Sequence, residues 1–123
     1  MNEMQTRRNI ASASTLLLAL IIVLLTLAPV SAPNFIGSAS DKLYHVIAFA
    51  ALTFPMALLY PPRAKTVLVY AILLGAAIEI IQPTVGRTAS VLDFVADVLG
   101  ALLGMVAGRI FGQLLFVRQT PNF

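Results

Sequence analysis

Four stretches of this chain are long and apolar enough to cross a bilayer, and four of its five acidic residues, Asp41, Glu79, Asp93 and Asp97, sit in them or at their edges. A carboxylate in hydrocarbon costs roughly 2.5–3.5 kcal/mol even on the lenient insertion scale, so such groups are expected only where they line a protein interior or a wet cavity. The sequence therefore predicts a polar site inside an all-α membrane bundle. Composition agrees, with 59% hydrophobic residues, 11% charged residues and a mean hydropathy of +0.93, outside the range of soluble domains. A span takes about 20 residues, so four spans and short connections fill the 123 residues as one domain. That leaves no room in this stretch for a separate soluble catalytic domain. The absence of cysteine excludes disulfides, thiolate catalysis and Cys-ligated metals. The net charge of +3 is small and falls in the loops, where it bears on membrane orientation and gives no reason to expect nucleic acid.

The first span is expected over residues 10–30, after Arg7 and Arg8. Together with Val30-Ser31-Ala32 these could form a secretory signal. The apolar run, however, exceeds the roughly 7–15 residues of a signal core, and Pro33 would follow the cleaved bond, so a retained helix is expected. A connector over 31–42 leads to a second span at 43–60, with Ser40 as its N-cap and Pro55 as a kink. Pro61-Pro62-Arg63-Ala64-Lys65 forms a tight basic turn before a third span at 66–82, which Pro83 ends. After the loop 84–90 the last span is expected over 91–110, with an amphipathic tail reaching Arg118.

Alternate loops divide the basic residues unevenly: Arg7, Arg8, Arg63, Lys65, Arg109 and Arg118 on one side, Lys42 and Arg87 on the other. Cytoplasmic loops are enriched in Lys and Arg, which predicts cytoplasmic termini in a bacterial inner membrane. Asp41, Lys42, His45, Glu79, Gln82, Arg87, Ser90, Asp93 and Asp97 then all lie toward the extracytoplasmic ends of their helices or in the outer loops. At about 100° per residue, Asp41 and His45 share a helix face, as do Gly75, Glu79 and Gln82, and as do Asp93 and Asp97. The last stripe continues through Gly100, Gly104, Gly108 and Gly112, a ladder that permits close backbone approach. Packing within the bundle is the preferred expectation for it, because the neighbouring carboxylates must also face protein. A homodimer across the ladder is the other.

Asp41-Lys42-Leu43-Tyr44-His45 with Phe49, Glu79-Ile80-Ile81-Gln82, Gly86-Arg87-Thr88-Ala89-Ser90-Val91-Leu92-Asp93, and Asp97-Val98-Leu99-Gly100 with Gly104 form an ordered set. Over residues 38–112 that set resembles the VanZ-like family of small membrane proteins, named for a teicoplanin-resistance protein. The family pattern has Asn more often where this chain has Asp97, which adds a negative charge. The resemblance implies an envelope role and low-level resistance to glycopeptides that bind lipid-linked cell-wall precursors. It assigns no biochemical activity.

Three functions fit. In the first, Lys42 and Arg87 hold the phosphate or anionic sugar of an envelope lipid or lipid-linked precursor, with Gln82, Ser90 and Asp97 as further ligand contacts. Asp41, His45, Glu79 and Asp93 then supply general acid and base groups, should the ligand also be modified. In the second, the carboxylates relay protons or ions in a transporter component. In the third, the glycines dock a partner in an envelope assembly. Each residue also has a simpler role: Glu79 in an interhelical ion pair, His45 as a hydrogen-bonder, Lys42 and Arg87 as interfacial anchors, and Asp93 as a helix cap. A variant of the first function has Asp, Glu and His ligands hold a divalent ion, but no ligand spacing is diagnostic of a metal, and no cofactor is expected.

Overall fold

The computed structural model describes residues 1–28 and 38–116. Four α-helices make up the fold: α1 (Glu3–Leu27), α2 (Ser38–Leu59), α3 (Ala64–Ile81) and α4 (Val91–Phe116). All are long and apolar enough to cross a membrane. In hydrocarbon each helix satisfies its own backbone, which is why a chain of this composition is built from helices. Val30-Ser31-Ala32, Pro33 and Arg118 lie outside the described residues.

The helices run alternately up and down. Thr26 near the end of α1 meets Gln82 just past the end of α3, while Arg7 near the start of α1 stacks on Phe116, 3.9 Å from the ring centroid, at the end of α4. The start of α1 and the end of α4 therefore share one end of the bundle. A cluster of Asp41, Lys42, His45, Glu79, Asp93 and Asp97 from α2, α3 and α4 occupies the other.

α2 and α4 are the most intimately packed pair, and the glycine ladder explains why. Going down α4, Gly100, Gly104, Gly108 and Gly112 meet the backbones of Val46, Ala50, Phe54 and Leu58 in turn, one helical turn per step on both helices. The two helices are thus parallel and in register. A Cβ at Gly108 would lie 2.7 Å from the Phe54 carbonyl oxygen, and one at Gly112 would lie 2.9 Å from that of Leu58. At Gly100 and Gly104 it would overlap the carbonyls of Val46 and Ala50. Thr53 Oγ donates to the Ala101 carbonyl across the same seam at 2.7 Å, so the pair is held by polar as well as van der Waals contact. On the remaining side Ile22, Phe49, Leu52, Ala71 and Ile78 join Ala101 in a core drawn from all four helices. Met56 belongs to a second cluster with Ala11 and Val67.

One helix end departs from expectation. α2 begins at Ser38, so residues 40–42 are helical: Ser40 is not the N-cap, and Asp41 and Lys42 belong to the first turns of the helix and not to a connector. α4 continues past Arg109 to Phe116 as its amphipathic tail, because a charged side chain does not by itself stop a helix, whereas glycine in a left-handed conformation or proline does. α2 runs on past Pro55 to Leu59. A short 3₁₀ turn, Pro61–Arg63, leads straight into α3. A second 3₁₀ turn, Gln82–Val85, carries Pro83 and ends on Gly86, whose φ of 78° requires glycine.

Candidate polar site between three helices

Ser90 starts the site. Its Oγ accepts the Asp93 amide at 3.4 Å and its carbonyl accepts the Phe94 amide, which makes Ser90 the cap of α4. That frees the Ser90 N–H, which donates to Glu79 Oε2 at 2.8 Å. The turn after α3 is thereby tied back onto α3, and Glu79 is fixed beside the start of α4.

Capped in this way, α4 presents Asp93 and Asp97 one turn apart toward α2. Asp97 is 1% exposed and Asp93 6%, so both carboxylates face protein as the membrane setting demands. Asp97 Oδ1 lies 2.6 Å from His45 Nδ1. His45 Nε2 lies 3.8 Å from Asp93 Oδ2, and Lys42 Nζ reaches Asp93 Oδ1 at 3.5 Å. The imidazole is thus held between two carboxylates of α4, with the Lys42 ammonium at the rim, 40% exposed. Asp41 joins on the outer side, with a carboxylate oxygen within 4.8 Å of ligand atoms of both His45 and Asp93. The carboxylate hydrogen-bonded to the ring is Asp97 from another helix, not Asp41, which shares a helix face with His45.

Gly75 completes the inner wall. Asp97 Oδ2 would lie 3.0 Å from a Cβ at that position, so glycine makes room on α3 for the carboxylate. Asp97 Oδ2 and Glu79 Oε1 are both buried without a hydrogen-bond donor among the described residues.

Two candidate residues point elsewhere. Gln82 is 3% exposed, and its amide donates to the Thr26 carbonyl of α1 at 3.3 Å. Arg87 donates to the Ala28 carbonyl at 3.1 Å. Both satisfy carbonyls at the end of α1, which have no intrahelical partner. Thr26 and Ala28 are therefore part of the framework of the site. No side-chain motif marks them; their only signal in the sequence is that a helix end with open carbonyls must find donors. Asp41, Lys42, His45, Glu79, Ser90, Asp93 and Asp97 come together, whereas Gly100, Gly104 and Gly108 lie below them along the α2–α4 seam.

A family model matches residues 3–112. The chain belongs to the VanZ/LLP1 family. No curated protein and no solved structure gives a significant match. The matched region takes in α1, α2, α3 and α4 as far as Gly112, so the whole polar end and the glycine seam lie within the VanZ/LLP1 match.

Proposed function

We propose that this VanZ/LLP1 protein recognises the anionic head group of an envelope lipid or lipid-linked cell-wall precursor at the extracytoplasmic face of the bacterial inner membrane. The observation that carries this reading is the gathering of Lys42, His45, Glu79, Asp93 and Asp97 at one end of four apolar helices. A phosphate or anionic sugar at that depth meets the Lys42 ammonium at the rim. The lipid tails lie along the exposed leucines of the bundle.

Chemistry on the bound head group is an extension of the same reading. The Asp97–His45 bond leaves Nε2 beside Asp93, 3.8 Å from its Oδ2, an arrangement suited to moving a proton to or from a group bound there. The family's link with teicoplanin resistance follows from the same contact, since glycopeptides act on lipid-linked precursors. The uneven distribution of basic residues supports cytoplasmic termini and an outward site.

The relay alternative needs polar groups through the other half of the bundle, and there Thr53 is consumed by the Ala101 carbonyl. The assembly alternative uses the glycine ladder, which α2 covers in this chain. Native mass spectrometry of the protein extracted with its lipids tests the proposal. A retained phospholipid or polyprenyl-phosphate adduct, lost in Lys42→Gln while the helices stay folded, is expected. Equal adducts in both proteins, or none in the wild type, would set the proposal aside.

A further inference from the structure

Buried carboxylate oxygens are paired in nearly all folded proteins. Here two on facing helices, Asp97 Oδ2 on α4 and Glu79 Oε1 on α3, are buried with no donor among the described residues. The two residues join His45 in a group in which each offers one ligand atom, all within 4.8 Å of one another. We infer that His45, Glu79 and Asp97 form a binding site for a divalent first-row transition cation such as Zn²⁺.

The donor set is right for that class. Imidazole with two carboxylates suits Zn²⁺, which accepts N and O ligands at about 2.0–2.2 Å, better than the all-oxygen ions Mg²⁺ and Ca²⁺. Ligands around tetrahedral zinc are about 3.4 Å apart at those bond lengths. Torsions of the long Glu79 side chain close the remaining gap, while its Oε2 stays anchored on the Ser90 amide. The charge balance is also right. Asp41, Glu79, Asp93 and Asp97 face Lys42 and a single imidazole, and an uncompensated carboxylate as buried as Asp97 is expensive. When the ion takes the ring nitrogen, the proton of the His45–Asp97 hydrogen bond leaves to solvent, as metal binding requires.

The three ligands come from three helices, and no short ligand motif marks them in the sequence. The glycine at position 75 fits the same site, since a side chain there would press on Asp97 Oδ2 at 3.0 Å. Neither the site nor its test depends on a lipid ligand.

Chelator-treated full-length protein in detergent is titrated with Zn²⁺ by calorimetry, and bound metal is counted by elemental analysis after desalting. One ion per chain is expected, with Asp97→Asn and Glu79→Gln each weakening binding at least tenfold. Glu3→Gln, at the opposite end of the bundle, leaves it unchanged. Wild type that takes up no stoichiometric ion overturns the inference whatever the variants do. So does binding that survives in both site variants. Loss in Asp93→Asn with retention in Glu79→Gln also overturns it, by moving the ion to the outer group of Asp41, His45 and Asp93.

Discussion

The contact between His45 and Asp97 is, among the described residues, the closest polar link between α2 and α4 at the polar end of the bundle, and both side chains are withdrawn from solvent. Removing one member of such a pair leaves the other charge or dipole buried alone, at about 3–5 kcal/mol. His45→Ala should therefore lose about that much stability in SDS titration of mixed micelles. The double variant His45→Ala with Asp97→Asn should recover part of it, because neighbours that share one bond are not additive. Equal and additive losses would mean that the contact contributes little. Glu79→Gln keeps an oxygen for the Ser90 amide and should stay within about 1 kcal/mol of wild type by the same titration. At this scale the sequence revealed which residues are unusual but not which of them touch. Asp41 and His45 are visible as neighbours because helical periodicity relates positions a turn apart. The partner that holds the ring lies 52 positions away, and only tertiary packing brings it there.

α4 meets α2 through glycine because nothing larger fits at that separation. Gly104→Leu should break the seam, since even a Cβ there overlaps the Ala50 carbonyl; a loss above about 3 kcal/mol is expected, the range of overpacked sites at its upper end. Gly86 gives the contrasting case: nothing lies within 4 Å of an added Cβ, but its φ is +78°. Gly86→Ala should then cost about 1–2 kcal/mol from backbone strain alone, and the two losses are read in one SDS titration series. The ladder was legible in the sequence because its spacing of one glycine per turn is itself the packing surface. The helix ends were less legible. Arg109 and Gln113 interrupt the apolar run without ending α4, and Ser40 resembles a cap although the helix has already begun two residues earlier. Side-chain polarity suggests a boundary, whereas the backbone decides it.

Across the whole molecule, alternating helices bring the start of α1 and the end of α4 to one end and the acidic residues of α2, α3 and α4, with His45, to the other. Apolar runs long enough to span a bilayer made that architecture readable, since hydrocarbon allows few alternatives. The part played by α1 was not readable: it contributes backbone carbonyls to Gln82 and Arg87, and carbonyls carry no residue identity. The cysteine-free chain makes sidedness easy to probe. Thr88→Cys should react with an impermeant maleimide added outside intact cells and Arg63→Cys only after lysis; the reverse pattern would turn the site toward the cytoplasm. The most direct test of head-group recognition is cross-linking with an anionic lipid that carries its photoreactive group on the head, followed by peptide mapping. Adducts concentrated on residues 41–45 and 86–93, and reduced at least fivefold by Lys42→Gln, are predicted. Adducts at the Arg63 and Arg109 end, or spread evenly along the lipid-facing helices and unchanged by Lys42→Gln, would contradict it.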